Sequence, residues 1–193
     1  TLFSPAHQVK LLNNTPTFDW SDVPGADSYT LQISRYMSFA KIFVEQETAV
    51  STLKLTSLLP SKARFYWRVC SHALGTTACS AAWYFTTANP PSTPTLLSPA
   101  NGATVTSTRP RLDWNDAVLP PTTKFWRYEV QWSTDPNFTA PQNAFVSGWV
   151  RRSYYAPATA LTRGQTYYWR VRTFNTLGEY GQWSAVGSFR IAP

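Results

Sequence analysis

The chain has 193 residues, a formal net charge of +7, 14% charged side chains and 16% aromatic ones. So much aromatic surface with so little charge excludes a disordered chain, and 15 prolines against 8 glycines suit short half-buried strands joined by stiff turns. No apolar run approaches the about 18 residues that a membrane-crossing helix needs, and the first residues lack the charged and apolar regions of a secretion signal.

The predicted elements come in two parallel series. Leu2-Phe3-Ser4-Pro5-Ala6 and Pro16-Thr17-Phe18-Asp19-Trp20 open the first. Tyr29, Leu31 and Ile33 then alternate with Thr30, Gln32 and Ser34, the period of a strand with one face buried. A second alternating set, Phe65, Trp67, Val69 and Ser71, leaves Arg68 on the outward face. Pro90, Pro91 and Pro94 follow, favouring an extended path, and are read as a semi-rigid spacer with a fixed angle between what lies on either side.

The series then repeats. Leu96-Leu97-Ser98-Pro99-Ala100 and Pro110-Arg111-Leu112-Asp113-Trp114 stand 94 residues after their counterparts. Tyr128 to Ser133 stands 99 after Tyr29 to Ser34, and Tyr168-Trp169-Arg170-Val171 stands 102 after Tyr66-Trp67-Arg68-Val69. Small slips between segments of constant spacing are loop insertions in a duplicated framework. The expected organisation is a first module over 1–89, a Pro-rich linker over 90–94 and a second module over 95–193. No stretch reads as a helix, so each module is expected to be an all-β sandwich. Residues 1–93 carry +2 and residues 94–193 carry +5, nine of the ten cations in the latter being Arg.

These residues resemble the fibronectin type III domain, an immunoglobulin-like sandwich, twice over. The likeness rests on Trp20 and Trp114, on Tyr29 and Tyr128, and on Leu161-Thr162-Arg163-Gly164-Gln165-Thr166-Tyr167 leading into Tyr168-Trp169-Arg170-Val171. It is similar in particular to bacterial secreted and surface members, where Tyr-Trp-Arg-Val accompanies a Ser-x-Asp-x-x-Phe turn, here Ser133 to Phe138 and, degenerate, Ser34 to Phe39. The resemblance implies that Tyr167 is the corner tyrosine whose hydroxyl ties the connection before strand F to backbone. Phe65 takes that place in the first module, whose corner is therefore expected to be weaker.

The resemblance also implies that strands F and G pair as a hairpin. Cys70, at the end of F, and Cys79, at the start of G, then lie opposite each other and form a structural disulfide, which belongs to an oxidising compartment. The repeat places Arg172 and Trp183 at the corresponding positions, and these two are expected to stack as a cation–π pair. Trp126, Trp149 and Trp183 have no aromatic counterpart in the first module. Trp149, Arg151, Arg152 and Tyr154 combine flat π faces with guanidinium donors and form the candidate ligand or partner surface.

Neither His7 nor His72 has a nearby nucleophile or metal-type partner in sequence, so no catalytic residue, metal site or cofactor is expected. Asp19 with Asp22, and Asp113 with Asp116, supply too few oxygens for calcium and read as turn caps. The sequons at Asn13 and Asn137 read as chance in a bacterial chain, and Arg-Gly-Asp is not present. The expected role is a non-catalytic structural, adhesive or assembly segment of a secreted or surface-displayed bacterial protein. Its partners would be other protein modules or copies of itself, with neither nucleic acid nor membrane insertion. A carbohydrate-binding accessory module is the alternative. The segment starts and stops at module edges, as an excised piece of a longer targeted protein would.

Overall fold

The computed structural model describes residues 1–139, 144–146 and 149–193, with 144–146 described as backbone only. It divides into two compact units, Thr1–Asn89 and Pro90–Pro193. The first contains β1 (Leu2–Ser4), β2 (Thr17–Trp20), β3 (Ser28–Ser34), β4 (Ile42–Thr48), β5 (Thr52–Lys54), β6 (Arg64–Ala73), β7 (Thr76–Cys79) and β8 (Trp83–Thr86). The second contains β9 (Leu96–Ser98), β10 (Ala103–Val105), β11 (Leu112–Trp114), β12 (Phe125–Ser133), β13 (Ala144–Val146), β14 (Tyr154–Tyr155), β15 (Thr166–Asn175) and β16 (Gly187–Ile191).

Each unit is a two-sheet sandwich. In the first, β1-β2-β5 faces β4-β3-β6-β7, with β8 continuing beside β6. In the second, β14-β11-β9 faces β10-β16-β15-β12-β13, with β10 parallel to β16. The alternation read from the sequence delivers the inner faces: Leu31, Ile33, Phe65 and Trp67 are sealed in the first core, as are Val130, Trp169 and Val171 in the second. Burying such a side chain is worth about 1.5–3 kcal/mol. Aromatic edges meet aromatic faces within these cores, Phe18 against Trp67 at 4.9 Å and Trp114 against Tyr128 at 5.3 Å.

Each sandwich is closed by tyrosine hydroxyls that accept backbone protons. The Val23 amide donates to the Tyr29 hydroxyl at 2.9 Å, and the Ala117 amide donates to that of Tyr128 at 3.1 Å. The Thr162 amide donates to the Tyr167 hydroxyl at 3.0 Å, forming the tyrosine corner. In the first unit Phe65 leaves that place without a hydroxyl, and Thr87 supplies one instead. Its Oγ1 accepts from the Ala63 amide at 2.8 Å and donates to the Pro60 carbonyl at 2.6 Å. The first corner, expected to be weaker, thus keeps a side-chain tie, made by another residue.

Pro91 and Pro94 belong to the second unit and are buried. Ser92 fixes the segment, since its amide donates to the Val118 carbonyl at 2.9 Å and its Oγ accepts from the Val118 amide at 2.8 Å. A β-carbon on Gly181 would sit 2.6 Å from the Pro91 carbonyl oxygen, so only glycine lets the chain pass so close.

Candidate contact surface

The outer face of each larger sheet starts from the same local construction. Gln32 lies opposite Arg68 and Gln131 opposite Arg170, and each Arg Nε donates to the glutamine Oε1, at 2.8 and 2.9 Å. The turn after β3 or β12 then folds a phenylalanine over the guanidinium. Ser34 and Ser133 Oγ each accept an amide two residues on, and Phe39 and Phe138 both adopt φ 54°. Their rings lie 4.3 Å from the Arg68 and 4.2 Å from the Arg170 guanidinium. The Ser-x-Asp-x-x-Phe turn and the Tyr-Trp-Arg-Val strand are two halves of one clamp.

The units diverge at the next outward position. In the first, Cys70 of β6 pairs directly with Cys79 of β7, and the two are joined as a disulfide with Cα atoms 3.9 Å apart. Cys70 does not end its strand, which runs on to Ala73, and Cys79 closes β7 where the sequence suggested it would open the next strand. Cys70 is 4% exposed, covered on the outer face, while Cys79 is exposed. Ser80 follows, its Oγ accepting from the Val69 amide at 3.2 Å, and Ser184 repeats this toward Val171 at 3.1 Å.

In the second unit the Arg172 guanidinium lies 4.5 Å from the Trp183 ring centroid. This pair is one link of a ladder. Arg170 sits 4.2 Å from Phe138 and 4.5 Å from Trp183, and Arg172 sits 4.6 Å from Tyr180 and 5.1 Å from Phe174. Arg127 continues it, 4.1 Å from Phe174 and 5.0 Å from Trp126, and Trp126 meets Trp149 edge to face at 5.1 Å. At the centre Glu129 is 8% exposed, and Arg172 Nη2 donates to both its oxygens at 3.0 and 3.2 Å while Arg127 lies 3.8 Å away. Burial, followed by the like charge of Arg172, lowers the pKa of Arg170, and Glu129 acts in the opposite sense.

The candidate surface Trp149, Arg151, Arg152 and Tyr154 falls into two places. Trp149, 65% exposed, ends the ladder. Arg152 and Tyr154 lie with the smaller sheet, where Arg152 Nη1 donates to the Tyr154 hydroxyl at 2.6 Å and Arg111 stacks on that ring at 3.9 Å. Arg111 also pairs with Asp113 at 3.3 Å. Arg151 is exposed between the two groups in sequence. Arg111, Arg127, Glu129, Phe174 and Tyr180 were not singled out from the sequence. The outward period of β12 and β15 carries the signal for Arg127 and Glu129, because Glu129 lies opposite Arg172 across the strands.

The fold and this face define an immunoglobulin-like, fibronectin type III-like module whose outer sheet is built from framework side chains gripping one another. Residues 94–193 match the family described as Rha78A-like, N-terminal immunoglobulin domain, and the chain belongs to that family. Among solved structures it is similar to the chicken CNTN1 FN1–FN3 domains, with 13% identity and a TM-score of 0.42 over 100% of this chain and 66% of that one. It is also similar to the alpha-L-rhamnosidase from Dictyoglumus thermophilum, with 19% identity and a TM-score of 0.43 over 53% of this chain. The chain spans 66% of the first structure's length and 12% of the second's. No curated protein matches it in sequence.

Proposed function

We propose that the chain is a non-catalytic accessory segment of a secreted or surface-displayed bacterial protein, a semi-rigid spacer that also serves as a protein–protein contact. The second unit would stand near the N-terminal side of a Rha78A-like protein, as the description of its family says of such domains. The observation that carries this reading is the fate of the buried charge: Glu129 is gripped by Arg172 with Arg127 beside it, and is committed to holding two strands together. The disulfide supports an oxidising location, and the Tyr-Trp-Arg-Val clamp accords with the bacterial members that the sequence resembles.

Two measurements test the reading. Sedimentation velocity of the chain, alone and mixed with the domains that flank it in its precursor, should show association with itself or with them. A monomer indifferent to both would remove the contact role. Turnover of aryl glycosides by the purified chain, lost on heat denaturation, would remove the non-catalytic one.

A further inference from the structure

The ladder on the second unit ends differently from how it runs. Its inner rings, Phe138, Trp183, Tyr180, Phe174 and Trp126, each have a guanidinium within 5.1 Å. The last ring, Trp149, is packed edge to face on Trp126 at 5.1 Å with an interplanar angle of 78°, and most of its surface is open to solvent. Trp126 is in turn braced on Phe174 at 6.2 Å, so the terminal indole rests on a fixed support. The next residue, Val150, is buried and its carbonyl accepts from the Tyr128 amide at 2.7 Å. Residues on either side of an inward side chain in extended backbone turn outward, which puts Arg151, exposed, on the solvent side with Trp149.

Charge selects what could complete the stack. Arg127, Arg170 and Arg172 outnumber Glu129 on this face, Arg151 adds a further cation, and residues 94–193 as a whole carry +5. A cationic side chain, the partner used elsewhere in the ladder, would be repelled here. A sugar ring is not: the C–H groups on one face of a pyranose carry slight positive charge and apolar area suited to an indole face, while its rim accepts hydrogen bonds. A carboxylate on that ring would meet a guanidinium in the geometry that such pairs prefer.

We propose that Trp149, backed by Trp126 and with the exposed Arg151 two residues along the same extended segment, is a binding site for a carboxylate-bearing pyranoside, a uronic acid unit of a polysaccharide. The site is independent of the spacer role, which needs no ligand.

The test uses the full chain and three probes in titration calorimetry: oligogalacturonate, the same oligomer as its neutral methyl ester, and polyglutamate. Oligogalacturonate should bind most tightly. Trp149→Ala should weaken it at least about tenfold and Trp149→Tyr much less. Arg151→Gln should weaken the acidic oligomer several-fold and leave the ester unchanged. Because Trp149 is exposed, the thermal midpoint of Trp149→Ala should match the parent; if it does not, the Trp149→Tyr and Arg151→Gln arms decide. Equal binding of polyglutamate would overturn the proposal in favour of an acidic protein partner. Equal binding of the ester would overturn the role of the carboxylate, and no binding of oligogalacturonate at millimolar concentration would overturn the site.

Discussion

A buried hydroxyl can accept and donate at once, and Thr87 uses both capacities to tie Ala63 to Pro60 where the second unit uses the Tyr167 phenol. Thr87→Val would leave the buried Ala63 amide without its acceptor and should cost about 1–3 kcal/mol. Tyr167→Phe should cost about 0.5–1.5 kcal/mol. Phe65→Tyr should destabilise, because Phe65 is fully enclosed against Phe43 and Phe85 and a hydroxyl added there would be desolvated. Denaturant unfolding of the full chain checks all three, and a gain in stability from Phe65→Tyr would show that the first corner is open. At Tyr128, burial and then the neighbouring Asp116 charge raise the phenol above its usual 10.0, against the opposing effect of the Ala117 amide bond. A folded pKa above the unfolded one gives stability that is whole below about pH 10 and is lost as pH rises through the folded value. Unfolding midpoints should therefore fall as pH rises above about 10, and Tyr128→Phe should flatten that part of the fall.

Between strands, one structural need is met by two chemistries. The segment after the turn that follows β6 is held to that strand by Cys70–Cys79, and the corresponding segment beside β15 is held by Trp183 over Arg170 and Arg172. The disulfide closes a short loop, with a sequence separation of 9, and should contribute about 2–3 kcal/mol. Losing Trp183 should cost about 1–3 kcal/mol in lost cation–π contact and packing. In calorimetry, reductant should lower one unfolding transition and Trp183→Ala the other. A single transition moved equally by both would contradict separate pins. The inner faces were legible in the sequence because period two at Tyr29–Ile33 and Phe65–Val69 is set by backbone geometry alone. The Arg172–Trp183 register was legible because the two copies could be aligned. The ladder's other members were not: Phe138 is swung into place by a positive φ, Trp126 sits where the β12 register shifts, and Tyr180 joins through an isolated bridge to Phe174. The four-residue surface spans two places because Val150, next to Trp149, bridges to Tyr128 of β12 while Tyr154 pairs with Asp113 of β11, a separation that five residues of sequence conceal.

At the scale of the molecule, two units with separate cores are expected to respond separately to changes confined to one of them. Gly181→Ala offers a test, because the new β-carbon meets the Pro91 carbonyl oxygen at 2.6 Å and backbone must shift. The second unit should lose roughly 1–3 kcal/mol, with the first unmoved. Coincident shifts of both thermal transitions would mean that the units unfold as one.

The same burial pattern gives the chain a built-in optical label. Trp67, Trp114 and Trp169 are 0–1% exposed and will emit toward the blue, whereas Trp149 stands 65% in solvent and will contribute strongly at the red edge of the emission band. Water-borne quenchers such as iodide, drawn to a surface rich in guanidinium groups, will dim that red edge first. A molecule settling on Trp149 would protect it, so occupancy of this one indole can be followed without attaching a dye.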